Sequence, residues 1–146
     1  MKNNENKTIC SKCNGECCRG MGCHFSPEDI GKISVESIMN VLDSGNVSID
    51  WWEGDIFGKD RNRVFFLRMR NVNSGIIDAS WGGKACVLFV DGKGCPLSFE
   101  KRPKGGKGVV PKENGKCTTV YSKPDCVKEW YEYQDIMDLV YEKLCE

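Results

Sequence analysis

The residues of this sequence with the clearest chemistry are cysteines near its start. Five of the ten cysteines lie within the first 23 residues, and four of them form the run C-x2-C-x3-C-C at Cys10, Cys13, Cys17 and Cys18. Thiolates spaced this closely are typical ligands of a zinc ion or an iron-sulfur cluster. The run therefore predicts a metal centre, but it does not distinguish zinc from iron, because both accept four thiolates.

Disulfide bonds are the main alternative, because an even number of cysteines in a short chain can form a disulfide framework. The sequence starts MKNNENKT and shows no export signal, whereas stable disulfides belong to oxidising compartments. Adjacent Cys17 and Cys18 are awkward for disulfide geometry and natural where several sulfurs meet at one metal. We therefore expect a reduced, cytoplasmic, metal-binding protein, with disulfides and unpaired core thiols as the alternatives.

A second group of cysteines repeats one spacing in the later part of the chain. Two C-x8-C pairs are present, and each closely follows a Gly-Lys dipeptide. With the N-terminal run they supply enough sulfur for two four-sulfur zinc sites, or for a cubane iron-sulfur cluster and a further centre. Because adjacent Cys17 and Cys18 tend to point in different directions, the sequence favours more than one metal ion. The predicted ligands are Cys10, Cys13, Cys17, Cys18, Cys86, Cys95, Cys117 and Cys126.

Three further residues are weaker candidates for ligation. Cys23 and His24, the only histidine, are reserve ligands, since a site of four thiolates or of three thiolates and one imidazole can recruit either. A single histidine beside a helix start is more often an ordinary surface residue. We expect Cys145, next to the end of the chain, to be a packed or free thiol.

The elements that must position these cysteines begin with two helix starts. The segment Ser26 to Asp29 combines a capping serine, a proline and two acids, which is typical of a first helical turn. A second start at Ser34 precedes a segment whose apolar residues share one helical face, and Gly45 ends it. These signals predict a helix pair directly after the first cysteines.

Strand patterns follow the helix pair. Apolar and polar residues alternate over Val47 to Trp52, and Val64 to Arg70 begins as an almost continuous apolar run. The segments Cys86 to Val90 and Cys95 to Phe99 flank the turn sequence DGKG, which predicts a hairpin or a close pair. Such a pair would bring Cys86 and Cys95 to a shared centre.

The last part of the chain has the strongest helical pattern. From Ser122 or Pro124 to Leu144, apolar residues recur every three or four positions, which predicts one long amphipathic helix. We therefore expect residues 1–146 to form a small single α+β domain, with metal-stapled cysteine loops, short antiparallel strands and a long C-terminal helix.

Composition limits the partners of this protein. The 146 residues include 21 basic and 21 acidic side chains, so the formal net charge is zero and gives no general attraction to nucleic acid or anionic membranes. No apolar run approaches the ~20 residues that span a bilayer. We expect metal ions as partners and neither a membrane nor nucleic acid, while a protein partner and the oligomeric state are left open.

Four segments carry a resemblance to a known family. They are Cys10 to Cys18, Cys86 to Phe89, Gly94 to Leu97 and Arg102-Pro103, and together they resemble the YkgJ-like cysteine-cluster family, described as a zinc- or iron-chelating domain. The resemblance covers most of the chain and implies chelation by the N-terminal run together with the cysteines at positions 86 and 95.

The chain departs from this family pattern shortly beyond Arg102-Pro103. Where the family commonly has another cysteine, this sequence has Gly106. Cys117 and Cys126 are the natural substitutes for the missing ligand.

The same resemblance extends to flagellin lysine N-methylases, so an iron-sulfur-dependent enzyme such as a protein lysine N-methylase is the alternative function. The residues do not require it. No glycine-rich loop follows a strand and opens a helix, as a phosphate or dinucleotide site needs. A Ser-His-Asp system would have to use His24, which lies beside predicted metal ligands. The sequence therefore leaves any catalytic residues unknown.

Overall fold

A two-stranded antiparallel sheet with helices packed around it forms a small α+β fold in the computed structural model. The structure describes residues 23–59, 61–79, 86–88, 96–110 and 118–146. Among the helices of these ranges, none combines the length and apolar character that a membrane span requires. In chain order, the elements are α1 (Pro27–Ile30), α2 (Val35–Asp43), β1 (Val47–Glu53), β2 (Arg63–Met69), a 3-10 turn (Phe99–Lys101), α3 (Lys104–Lys107), β3 (Val109–Val110), β4 (Thr118–Thr119), α4 (Lys123–Trp130), a second 3-10 turn (Tyr131–Tyr133) and α5 (Gln134–Cys145).

The predicted helix pair is present as α1 and α2, and two serines begin its helices. The Ser26 N–H donates to the Asp29 carboxylate at 2.8 Å, and the Ser34 hydroxyl accepts from the Ser37 N–H at 3.0 Å. These bonds satisfy backbone donors at the two helix starts. The Ser26 hydroxyl, which the sequence predicts to cap α1, is buried and has no hydrogen-bond partner in the described part of the chain. Just beyond α2, Gly45 has a φ of +83°, a conformation that glycine adopts without a steric penalty.

The two predicted strands pair with each other as β1 and β2, with Val47 opposite Met69. The predicted alternation of side chains is present, but both faces of β1 are covered. Val47 and Ile49 are buried on one face, while Ser48 and Asp50 are fully buried on the other. The polar face therefore contacts protein instead of solvent.

Two irregular segments extend this hairpin on both sides. On the β2 side, the segment 23–25 exchanges backbone hydrogen bonds of 3.0 and 2.9 Å with Leu67 and Met69. On the β1 side, Ile49 exchanges bonds of 2.7 and 3.0 Å with the segment 76–78. These segments pair edges of the hairpin that would otherwise expose backbone donors and acceptors.

A charged cluster lies on the polar face of the hairpin. The fully buried Arg68 donates from Nε to Asp50 at 2.8 Å and from Nη2 to the Asp78 carboxylate at 2.8 Å. Burial raises the pKa of the Asp50 carboxyl above its usual value, against the opposing effect of its hydrogen bond to Arg68. Because an unpaired charge in this environment is costly, each member of the cluster depends on its partners.

Apolar side chains pack on both faces of the hairpin, since the buried Phe66 lies opposite Asp50 and the buried Leu67 lies opposite Ile49. Side chains from α2, α4 and α5 contact β1 and β2 there. Burial of this apolar surface is the main favourable contribution to folding. The fully buried apolar side chains are Ile38, Leu42, Ile49, Val64, Phe66, Leu67, Cys126, Val127, Trp130, Met137 and Val140.

The predicted C-terminal helix is present, but a 3-10 turn interrupts it. It begins after Ser122, whose hydroxyl accepts from the Asp125 N–H at 3.3 Å, close to the predicted start. The Gln134 N–H donates to Tyr131 O, and the Gln134 side-chain Nε2 donates to Trp130 O at 3.0 Å. In a continuous α-helix the Gln134 N–H would donate to Trp130 O. Because the Gln134 side chain occupies that carbonyl, the backbone N–H bonds to Tyr131 O instead and the helix narrows to a 3-10 turn.

Replacing Gln134 with alanine is expected to lower the free energy of unfolding by about 2–3 kcal/mol. The buried Gln134 amide accepts from the Phe65 N–H at 2.8 Å and donates to Phe65 O at 2.9 Å, so its removal leaves both groups of β2 without partners. Urea denaturation measures the loss, with Glu142→Ala as the control at an exposed position of α5. Equal stability of the two variants would contradict this role for Gln134.

The sequence predicts a hairpin over residues 86–99. The described residues at its two ends do not pair with each other as strands. Cys86 forms an isolated antiparallel bridge with Asn71, beyond the end of β2, and Phe99 begins a 3-10 turn. Pro96 lacks the backbone donor that a paired strand uses at that position. The turn predicted between the two strands lies outside the described residues.

Candidate metal centre

The structure describes two of the eight predicted ligands. Cys86 and Cys126 are both buried, and the reserve ligands Cys23 and His24 are half-buried. Within the described ranges, no three His, Cys, Asp or Glu side chains lie together in a group that could hold a metal ion. The predicted ligands that lie outside these ranges are Cys10, Cys13, Cys17, Cys18, Cys95 and Cys117.

The backbone of Cys23 and His24 is held between β2 and α3. The Met69 N–H donates to Cys23 O at 2.9 Å, and His24 lies opposite Arg68 in an antiparallel bridge. From the other side, the Gly105 N–H donates to His24 O at 2.9 Å. The end of the N-terminal cysteine region is therefore anchored to the sheet and to α3 together.

The Cys23 sulfur lies against Gly106. A Cβ atom placed on Gly106 would be 3.3 Å from Cys23 Sγ and 3.3 Å from Arg102 Cβ. Arg102 Nε donates to Leu97 O at 3.0 Å, which ties this surface to the segment that follows Cys95 in the sequence. Among the described residues, the Cys23 sulfur has no hydrogen-bond partner.

Cys86 is attached near the same end of β2 as Cys23. Cys86 lies opposite Asn71, and Cys23 bonds to Met69, two positions earlier. Arg70 donates to Asn46 O on the β1 side and accepts from the Val87 N–H, so the Cys86 segment lies on the β1 edge of this strand end. Cys23, whose carbonyl accepts from the Met69 N–H, lies on the opposite edge.

His24 has the surroundings of a packed side chain. Its ring centroid is 5.3 Å from that of Phe66, and its buried Nε2 atom has no hydrogen-bond partner in the described part of the chain. Burial and the nearby cations Lys123 and Arg68 lower the pKa of His24 to about 4. Neutral imidazole is the form that binds metal, but two cations beside the ring oppose the approach of a third.

Cys126 has a different environment from Cys23. It is fully buried in α4, and its thiol donates to Phe25 O at 3.3 Å, where Trp130 Nε1 also donates at 2.8 Å. Burial raises the pKa of the Cys126 thiol. Because a metal ligand must be a thiolate, this environment favours a protonated core thiol, and ligation by Cys126 stays a prediction.

Polar contacts hold α3 in place beside the cysteines. Lys104 Nζ lies 3.0 Å from Glu129 Oε1 and 4.9 Å from the ring centroid of Tyr121, both outside α3. The Lys104 backbone N–H donates to Asp29 Oδ2 at 2.8 Å. These contacts connect α3 to α1 and α4, and they fix the two glycines of α3 against the segment 23–24.

Replacing Gly105 with alanine is expected to lower the free energy of unfolding by about 1–3 kcal/mol. An added Cβ would lie 2.6 Å from His24 N and 2.7 Å from His24 O, and neither backbone atom can move away without shifting the strand pairing. Thermal melts of the two variants test this, with Gly75→Ala as the control because its Cβ would meet nothing closer than Ile77 O at 3.9 Å. Similar melting temperatures for both variants would show that the contact is unimportant.

The sequence pattern does not predict the close packing of α3 against the segment 23–24. No sequence pattern marks Gly105 or Gly106 as a site of close packing, and the sequence makes Cys23 only a reserve ligand. The close approach of backbone to backbone that requires Gly105 arises only in the folded chain. The adjacent glycines after Arg102-Pro103 were the one available signal.

Comparisons of the chain with models of known protein families, with curated proteins and with solved structures each found no match. A functional conclusion therefore depends on the residues of this chain and on the way its fold connects them.

Proposed function

We propose that this protein binds zinc or an iron-sulfur cluster through cysteine sulfurs. The observation that carries the proposal is the N-terminal run, in which Cys10, Cys13, Cys17 and Cys18 place four sulfurs within nine residues. Thiolates at this spacing repel one another unless a cation or cluster compensates their charge. The resemblance to the YkgJ-like cysteine-cluster family leads to the same hypothesis, that the cysteines bind zinc or iron.

The connection between the two cysteine regions supports the proposal. Cys18 precedes Cys23 by five positions, and Cys23 is hydrogen bonded to Met69 of β2. Cys86 lies opposite Asn71, just beyond the same strand. The segments that carry the early and the later cysteines thus both join the fold at this end of β2, on opposite edges of the strand.

The remaining cysteine segments join the fold at α3. Cys95 is followed by the segment whose Leu97 carbonyl accepts from Arg102, two residues before α3. Cys117 directly precedes β4, which pairs with β3, and β3 begins two residues after the end of α3. Since α3 itself contacts Cys23, the attachment points of these segments are connected through one short helix.

In this proposal the metal contributes folding energy. A structural zinc site in a small domain supplies on the order of 10 kcal/mol, because its ligands are brought together only in the folded chain. Thiolate ligation requires reduced cysteines, and the proposed setting is therefore a reducing compartment such as the cytoplasm.

Calorimetric titration of the reduced, metal-free protein with Zn²⁺ tests the proposal. We expect stoichiometric binding with release of protons, because each thiol that becomes a ligand loses its proton. Titration in two buffers with different ionisation enthalpies measures that release. The matched control is the same protein after complete alkylation of its cysteines. Absence of binding, or equal binding by the alkylated protein, would refute the proposal.

A further inference from the structure

We propose that a groove between the start of β2 and α5 binds a small α-amino acid as its zwitterion, with the carboxylate at Arg63 and the ammonium at Glu142. The groove has a volume of about 500 Å³, which is within the range of small-molecule sites. The inference goes beyond the proposed function, since it concerns a second site. The residues that line the groove include Arg61, Arg63, Phe65, Asp138, Tyr141 and Glu142.

Three aromatic rings hold the guanidinium of Arg63 in place. Its Cζ atom lies 4.5 Å from the ring centroid of Tyr141, 5.0 Å from that of Trp51 and 5.1 Å from that of Phe65. The rings of Phe65 and Tyr141 also stack on each other, with their centroids 4.9 Å apart. A guanidinium that lies over aromatic faces keeps the N–H donors at its edge for other partners. The fold therefore positions this cation without using a carboxylate.

The N–H donors of Arg63 are uncommitted. Within the described ranges, its guanidinium donates no hydrogen bond and forms no ion pair. Glu53, which lies opposite Arg63 on β1, accepts from Trp51 Nε1 at 2.7 Å instead. The neighbouring Arg61 is committed, because it donates to Asp138 at 2.7 and 3.3 Å. A carboxylate can accept two parallel hydrogen bonds from the free fork of Arg63.

Glu142 supplies the complementary charge. It is exposed on α5, lines the same groove and has no hydrogen bond or ion pair with a described residue. Because Arg61 and Asp138 neutralise each other, one cation and one anion of the groove are left without a partner. A phosphate dianion would be repelled by the carboxylates of Asp138 and Glu142. A ligand with one carboxylate and one ammonium matches both remaining charges.

The groove lies far from the described attachment of the N-terminal cysteine region. Arg63 begins β2, whereas Met69, which donates to Cys23 O, ends it. Along an extended strand these two positions are roughly 20 Å apart. Binding in the groove can therefore be measured separately from binding of a metal ion.

Calorimetric titration with L-phenylalanine tests the proposal, because Phe65 and Tyr141 give the groove an aromatic wall. Two analogues each lack one charge: phenylpropanoate has no ammonium and phenethylamine has no carboxylate. We expect both analogues to bind about tenfold more weakly than L-phenylalanine, or more weakly still, since each loses a charge-assisted hydrogen bond. Inorganic phosphate is expected to bind more weakly than L-phenylalanine.

Two conservative variants test the assigned roles. Arg63→Lys keeps the charge but lacks the planar fork, and we expect it to weaken binding of L-phenylalanine by about tenfold. Glu142→Gln is expected to remove the preference for L-phenylalanine over phenylpropanoate. Lys143→Gln is the matched control, because Lys143 is exposed beside Glu142 and does not line the groove. Its affinity for L-phenylalanine should equal that of the wild-type protein.

Nuclear magnetic resonance of the wild-type protein gives a measurement that does not require a variant to fold. L-Phenylalanine should shift the Nε–H resonance of Arg63. Absence of L-phenylalanine binding, equal binding of phenylpropanoate, tighter binding of phosphate, or an unchanged affinity in Arg63→Lys would each overturn the proposal. None of these results bears on the titration with Zn²⁺, so the inference and the proposed function fail separately.

Discussion

Replacing Arg68 with methionine is expected to lower the free energy of unfolding by about 3–5 kcal/mol. The Arg68 side chain is fully buried and donates to the carboxylates of Asp50 and Asp78, both at 2.8 Å. Its removal leaves the buried Asp50 carboxylate without its ion-pair partner, with only the Trp51 N–H at 2.6 Å and the charge of Lys123 to stabilise it. Removing one partner of a buried ion pair is far more harmful than removing both, because the remaining charge has lost its hydration as well.

Denaturant unfolding of three variants tests this account of the buried cluster. Arg61→Met is the matched control, since the Arg61–Asp138 pair is similarly short, at 2.7 Å, but its side chains are 26% and 41% exposed. Exposed pairs contribute about 0–1 kcal/mol. Adding Asp50→Asn to Arg68→Met is expected to recover part of the lost stability. Equal losses in Arg68→Met and Arg61→Met would contradict the proposed role of burial.

The loss caused by Arg68→Met is expected to be smaller near pH 4 than at pH 7. Burial already raises the pKa of Asp50, and loss of the Arg68 hydrogen bond raises it further. An acid whose folded pKa is raised binds more protons in the folded state, so stability falls as pH rises above the unfolded value of about 3.9. At low pH, the neutral Asp50 carboxyl needs no cationic partner. A loss that is independent of pH would argue against an ionised Asp50.

Substituting serine for Cys13 is expected to abolish the cooperative thermal transition of the protein. The expected contribution of a zinc site is on the order of 10 kcal/mol, while domains of this size are stable by about 5–15 kcal/mol in total. If Cys13 is a ligand as proposed, its loss is therefore expected to remove a large share of the stability. Near-ultraviolet circular dichroism during heating measures the transition in oxygen-protected, reduced protein.

The control for this experiment is Cys145→Ser, which removes an exposed thiol from the end of α5. We expect its melting curve to match that of the wild-type protein. Treatment of the wild-type protein with a strong chelator should reproduce the effect of Cys13→Ser. A native melting curve for Cys13→Ser would show that the centre does not stabilise the fold.

Local signals in the sequence predicted much of the fold. Ser26, Ser34 and Ser122 mark the starts of α1, α2 and α4, and the hydrogen bonds found there join residues only three positions apart. Periodic apolar residues likewise predicted β1, β2 and the C-terminal helix. These features need no knowledge of the rest of the chain.

Features that depend on distant residues escaped prediction. The buried Arg68 pairs with Asp50 across the hairpin, although both residues read as the polar side of half-exposed strands. The C-terminal helix is interrupted at Gln134, whose side chain also bonds to Phe65, far away in the chain. Such contacts appear only once the register and the helix orientation are known.

The candidate metal centre was predicted from the spacing of cysteines. Spacing shows which sulfurs are present, but it does not show which of them lie close enough in the fold to share a metal ion. Repeated spacing favours Cys126 over Cys23 as a ligand, but burial is not visible in a spacing. The fold separates them by environment: Cys126 is fully buried and hydrogen bonded, whereas Cys23 is half-buried at the junction of β2 and α3.

The most direct test of metal binding is the metal and sulfide content of freshly prepared protein that has been protected from oxygen. Our account predicts stoichiometric zinc in colourless protein, or stoichiometric iron with sulfide in brown protein. Protein that contains neither metal in stoichiometric amount, or in which Cys10, Cys13, Cys17 and Cys18 are cross-linked to one another, would contradict it.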